Sequence, residues 1–511
     1  MDVTRPDAGR PEDEEHRPPR RRRWRWAAFV LLLVVVALAA GYLTWAKRAE
    51  HRLDELLAEL RRNGEPTEPH ELVHPPIPTE NDAAVDLLAA AALLDKTGAA
   101  LEAYGRIEFD GPLGAADRAT VAALVEGERD VLGKIRDARG KRDADWRIPY
   151  QSPVISTLLP HLNDQRTLAN LSRAAATHER LGGNDAAAVE HLRDVLAMGD
   201  ATDSQPFMVA HLVAVGVRAV ASDGLGRMAP DLSIRTGAGD ASGSEGGATP
   251  RQVRDAIREL LDEGRSEAGL RAALWGERVL QLDTTRLLAD RKLDLNAISG
   301  GAPGGRRGIG APPLPRGMIL GDARMMAVQV GDLLKAYEEA PDYQAFKANA
   351  PGMPAPLVKS RMMHVVASIL MPSYDRFVLQ QFRSRADRRL AAVALALRLY
   401  AADHDGQYPP ALDDLVPAYL PAVPKDPFAP GGDKPLLYSH ADPAAPTVYS
   451  VGENGADDGG SLTPTRKRSG AGTFSRWETL DAVLAMKSTP LAKSAAEEEE
   501  EKKNAEAEGA E

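Results

Sequence analysis

A chain of 511 residues exceeds what one ordinary hydrophobic core accommodates, so two or more domains with tails are expected, and an apolar share of 43% is enough to fill them. The formal net charge of −11 argues against nucleic acid as a partner, because phosphate binding needs a concentrated basic face. There is no cysteine, which excludes disulfides, thiolate zinc sites and thiol nucleophiles.

Residues 1–25 are rich in Pro, Arg and acidic residues and are expected to form a disordered cytoplasmic tail. Arg17, the run from Arg20 to Arg23, and Arg25 then abut an uncharged apolar stretch, residues 26–45. About 20 such residues cross the hydrocarbon core as a helix, and Trp24, Trp26, Tyr42 and Trp45 stand where aromatic belts belong. The stretch reads as a transmembrane helix and makes the lipid bilayer a partner. The arginine excess before it favours a cytoplasmic N-terminus and an exported body. A cleavable signal peptide is the alternative, since Ala37-Leu38-Ala39 has a small-x-small pattern.

Residues 46–372 read as an α-helical exported domain. Leu53, Leu56, Leu57 and Leu60 recur at helical spacing, Gly64 is placed to end that helix, and Asn81 or Asp82 is placed to cap the next. Further helices are expected at about 117–138, 164–181, 185–199, 204–229, 250–263, 266–293, 321–339 and 357–370. The second and third of these form one helical hairpin of the tetratricopeptide kind, turned at Gly182-Gly183-Asn184. Insertions near 236–250 and 299–317, rich in Gly and Pro, are expected as flexible loops.

His70-Glu71-Leu72-Val73-His74 matches a zinc-hydrolase pattern, but Pro69 and Pro75-Pro76 break the helix it requires. Asp403-His404-Asp405-Gly406 is better explained as a helix end than as half a calcium loop. The glycines from Gly304 to Gly310 lack the Lys-Ser/Thr ending of a phosphate loop.

Ser373 is a candidate cap for a long helix running to about His404, with Leu390, Val393, Ala394, Leu397 and Tyr400 on the face expected to meet the strands beyond. Tyr408-Pro409-Pro410 forces a turn, residues 411–420 are patterned as a short second helix, and PLLYSH and TVYSVG read as two strands. An acidic turn, Glu453, Asn454, Asp457 and Asp458 among glycines, follows; a hard cation or a plain solvated turn would each suit it. Residues 477–486 are patterned as a final short helix, and 487–511 as a disordered acidic tail.

The order of Tyr408-Pro409, Leu415-Val416-Pro417, Tyr419-Leu420, Asp426-Pro427-Phe428, Tyr438 and Tyr449-Ser450-Val451-Gly452 resembles the globular domain of the major, G-type pseudopilin of type II secretion systems. The resemblance implies an α+β module over 373–486 and a calcium ion on Asp457 and Asp458, with Ser450 and Asn454 nearby. The span lies about 330 residues before that module and Phe29 to Ala40 holds no acid, so assembly into a pilus is not implied. Gly64 to Leu72 and Glu80 to Ala84 are similar to membrane-anchored proteins of unassigned role in Planctomycetes-type bacteria.

The expectation is therefore a mainly α protein: one N-terminal transmembrane helix, a hairpin-stack-like helical domain, and a small α+β module. Its function is read as non-enzymatic, in the bacterial inner membrane with a periplasmic body, contacting other envelope or secretion proteins. The alternatives are a helical-repeat binding protein and a zinc-dependent hydrolase.

Overall fold

The computed structural model describes residues 20–96, 98–107, 109, 111–235, 246–298, 314–465 and 475–500. Residues 1–19, the insertions through 236–245 and 299–313, and the end of the tail from 501 lie outside them.

Helix α1, Arg20–Arg62, begins inside the segment expected to be irregular, and it runs without a break through the apolar stretch into the body. No part of that stretch is buried. Beyond Trp45 the helix changes character: Leu53, Leu57 and Leu60, spaced to share one face, become buried. Gly64 ends it as expected, at φ +75°, while the amides of Gly64 and Glu65 bond back to Arg61 and Leu60.

The body follows as α2 (Ala83–Leu93), α3 (Ala99–Tyr104), α4 (Ala115–Gly127), α5 (Arg129–Arg139), α6 (His161–Leu181), α7 (Asp185–Thr202), α8 (Met208–Met228) and α9 (Pro250–Leu261). Asp82 caps α2 by accepting from the Ala84 amide at 3.1 Å. The single helix expected over 117–138 is two, because the chain leaves helical geometry at Glu128. The α6–α7 hairpin forms where expected; Gly183 takes φ +76° and Asn184 accepts from the Ala187 amide at 3.2 Å. Helix α8 is apolar and long enough to span a bilayer, yet most of its apolar window is buried in the body, as befits a core helix.

Next come α10 (Gly264–Ala289), α11 (Leu295–Ile298), α12 (Arg316–Glu339), α13 (Tyr343–Asn349), α14 (Ala355–Lys359), α15 (Val365–Leu370) and α16 (Tyr374–Asp403). The helix expected over 357–370 is broken, because the His364 imidazole turns onto the Asp322 carboxylate at 2.6 Å. Helix α12 runs parallel to the part of α1 beyond the bare apolar stretch: the Trp45 ring seats on Gly317, Arg316 pairs with Glu50 at 3.0 Å, and Leu320, Ala323 and Ala327 pack with Leu53, Leu57 and Leu60.

The division expected at residue 373 does not separate two cores. Every residue from Leu390 to Leu397 is fully buried, so this part of α16 is covered all round rather than on the one face expected. Its side chains share a cluster with α2 and α4 to α9, and with Val448 and Leu484 beyond. Arg388 fastens the joint by donating to the carbonyls of Glu259, Leu260 and Asp262, the exposed end of α9.

After α16 the chain turns at Gly406, φ +83°. The second helix expected over 411–420 reduces to a 3₁₀ turn, Leu412–Leu415, since Pro417 and Pro421 deny it further hydrogen bonds. Both expected strands form, as β1 (Leu437–Ser439) and β2 (Thr447–Ser450). The expected last helix is instead a third strand, β3 (Ala482–Ala485). The sheet is antiparallel in the order β1-β2-β3, with Tyr438 opposite Val448 and Val448 opposite Leu484. Part of the tail expected to be disordered folds back on α4: the Leu113 amide bonds to the Leu491 carbonyl at 2.9 Å, and Arg118 pairs with Glu498 at 2.9 Å.

Candidate functional site

The acidic loop leaves β2 and is compacted by four glycines in left-handed geometry, Gly452, Gly455, Gly459 and Gly460. At Gly452 no other residue fits, since a Cβ there would lie 2.5 Å from the Leu480 carbonyl. Asn454, Asp457 and Asp458 are exposed and come together in this loop, but each is already engaged. Asp457 accepts from the Tyr449 hydroxyl at 3.1 Å and the Gly459 amide at 2.9 Å. Asp458 accepts from the Asn454 side chain at 2.7 Å, while the Asn454 carbonyl takes the Ala456 amide at 3.0 Å. Burial together with the bond to Asp457 pushes the Tyr449 phenol up to about 12.

Ser450 does not join them. It is fully buried and donates to Asp426 at 2.7 Å, on the other side of the strand. A calcium ion needs six to eight oxygens converging on one point; among the described residues no group of three or more potential metal-ligating side chains gathers here or elsewhere. The side chains expected as ligands are thus each engaged with partners inside the protein.

Two carboxylates that went unremarked as ligands organise the region instead. Asp426 accepts the amides of Phe428 and Val451 at 2.9 and 2.8 Å, besides the Ser450 hydroxyl. Asp481 accepts the amides of Gly460 and Ser461, both at 2.8 Å, and that of Asp458 at 3.4 Å. Burial pushes both carboxyls above the ordinary range, against the pull of these donors. The loop is latched to the helices by Glu453, whose carboxylate pairs with Arg383 and whose carbonyl accepts from Gln344 at 3.1 Å.

The histidines of the zinc-like stretch are not a ligand pair. Residues Pro69–Leu72 form a 3₁₀ turn, and the Glu71 carboxylate caps it by accepting the amides of Thr67 and Glu68 at 2.6 and 2.8 Å. His74 lies instead at a cleft of about 280 Å³ shared with Val73, Trp146, Arg147 and Tyr150. Its floor is aromatic, with Trp146 stacked on His161 at 4.5 Å between centroids. Burial lowers the His161 pKa, so the ring favours its neutral form. At the lip, Arg147 holds φ +53°, an uncommon backbone state for an arginine, secured by the Asp145 carboxylate on its amide at 2.9 Å.

One buried polar cluster is enclosed in the body. Asp203 accepts from Arg218 and contacts His211, both at 2.7 Å, and Gly269 passes so close that a Cβ would lie 2.3 Å from the carboxylate. Burial pushes the Asp203 pKa up, but the interactions with His211 and Arg218 outweigh it and hold the carboxyl below its ordinary range. With all three side chains at 1% exposure or less, this is a tie among α7, α8 and α10 that no substrate reaches. Comparison with protein families, with curated proteins and with solved structures finds nothing that matches the chain.

Proposed function

We propose that the chain is a single-pass, membrane-anchored helical scaffold of a bacterial envelope, non-enzymatic, with its N-terminus cytoplasmic and its body periplasmic. The observation that carries this reading is α1, which passes from a bare apolar segment into a packed seam with no intervening linker. The helix also runs unbroken through Ala37-Leu38-Ala39, where a signal peptide would be cut, which supports an anchor over a cleaved segment. In the same reading, the C-terminal sheet and its latched acidic loop form a surface for protein contacts at the envelope, of the kind the pseudopilin resemblance implies. The spending of Glu71 on a cap and the enclosure of the Asp203 cluster support a scaffold over a hydrolase.

The test uses the absence of native cysteine. A chain carrying Asn454→Cys should stay with membranes through alkaline extraction and react with an impermeant maleimide in intact spheroplasts. Release by alkali refutes the anchor, and labelling only after lysis refutes the orientation. The aromatic-floored cleft favours a second reading, a helical protein that binds an extended peptide there. Trp146 fluorescence that stays unchanged across a peptide library would remove it.

A further inference from the structure

Segment 353–371 presents an apolar edge that nothing among the described residues covers. Met362 is 85% exposed, Val358 65% and Met363 55%. Two cations, Lys359 and Arg361, stand among them, both exposed and without an ion pair among the described residues. Exposed methionines flanked by basic residues suit the boundary between lipid headgroups and acyl chains, where apolar side chains sink and cations meet phosphate.

The placement of this edge gives its occupant. Trp45, the last aromatic of the apolar segment, seats on Gly317 near the start of α12. Leu357 and Val366 pack on Leu288 and Ile319, the parts of α10 and α12 nearest that point. His364, which directly follows Met363, is held by Asp322, and the five residues from Gly317 to Asp322 rise about 7.5 Å along the helix. With α1 along the bilayer normal, Met362 and Met363 therefore lie at the level where α1 leaves the lipid. Exposed Lys47 and Arg48, on α1 just beyond Trp45, add positive charge at that level.

We propose that the edge formed by Val358, Lys359, Arg361, Met362 and Met363 is a second membrane contact, docking onto anionic phospholipid headgroups of the leaflet from which α1 emerges. This rests on the reading of residues 26–45 as a membrane span. Insertion of the methionines would seat the body against the bilayer, with the acidic loop facing away. That loop meets Gln344, beyond the far end of α12.

The test reconstitutes the full chain in vesicles of phosphatidylcholine and phosphatidylglycerol whose acyl chains are brominated both near the headgroup and near the chain end, so that quencher is present at every depth. Bimane is attached in turn to single cysteines replacing Val36, Met362 or Asn454. Quenching of roughly twofold or more is expected at 36 and at 362, and none at 454. Adding Lys359→Glu and Arg361→Glu should restore most of the fluorescence at 362 and none at 36. Quenching at 36 without quenching at 362 overturns the docking while leaving the span intact. No quenching at 36 removes the span and the docking with it. Quenching at 362 that ignores the charge reversal overturns the assignment to anionic headgroups. Ser368→Cys, exposed on α15, supplies an independent label should the one at 362 disturb the fold.

Discussion

Removing the chain beyond residue 372 should unfold the helical body, although the sequence reads as if a separate module began there. The deletion takes Phe377, Val378, Phe382, Leu390, Val393, Leu395, Leu397 and Leu399, all essentially buried. At about 1.5–3 kcal/mol for each such side chain, even the lower bound sums to roughly 12 kcal/mol, comparable with the whole net stability of a domain at about 5–15 kcal/mol. The loss is compounded because α8 and α9 are uncovered and the carbonyls that Arg388 satisfied at the end of α9 are stranded. Urea titration followed by circular dichroism, on segment 46–372 beside segment 46–500, would measure this. The shorter segment should show no cooperative transition and rapid, unselective proteolysis. A sharp transition in it, with a protease-resistant core, would refute the reasoning and restore an independent helical domain.

Glu277 is held by one donor, the Gln281 amide at 2.9 Å, and burial pushes its carboxyl up to about 7. A carboxyl raised in the fold is favoured protonated, so its contribution is complete below about pH 4.5 and lost as pH rises through 7; Glu277→Gln should match wild type at pH 4 and exceed it by roughly 1–3 kcal/mol at pH 8. An equal difference at both pH values in urea titrations would contradict this. A Cβ on Gly276 would lie 1.7 Å from the Pro206 carbonyl, whereas one on exposed Gly216 meets nothing within 4 Å. Gly276→Ala should therefore lose at least about 2 kcal/mol while Gly216→Ala gains up to about 1 kcal/mol, and thermal melts that rank them the other way would sink the packing argument. Asp481→Ala strands the amides of Gly460 and Ser461 and should cost roughly 2–3 kcal/mol. Adding calcium or chelator should leave the wild-type melting temperature unchanged; a calcium-dependent rise abolished by Asp457→Ala with Asp458→Ala would reinstate the ion.

Local punctuation was legible in the sequence. Gly64, Asp82, Asn184 and Gly406 end or begin helices for reasons each residue carries within a few positions of itself. What spans long separations was not. Residues 482–486 are an apolar run too short to reveal its period, and pairing with β2, some 35 residues earlier, makes it a strand. The unbroken apolar stretch from Leu390 to Leu397 did carry the signal that this part of α16 is buried on every side, although its periodicity reads as one face. In the acidic loop, the residues that looked like ligands hold one another, while Asp481, which gathers the amides, lies some 20 residues downstream in a segment misread as helix. No spacing rule points across that distance.

The continuity of α1 also has a mechanical meaning. A 43-residue helix is about 65 Å long, and its first left-handed break comes at Gly64, after the seam has ended. A pull on the N-terminal end of the helix therefore loads that seam in shear, spreading force over the leucines together with Arg316–Glu50, instead of peeling contacts one at a time. In the anchored arrangement proposed above, a partner engaging the sheet would therefore pull on the lipid through one unbroken helix.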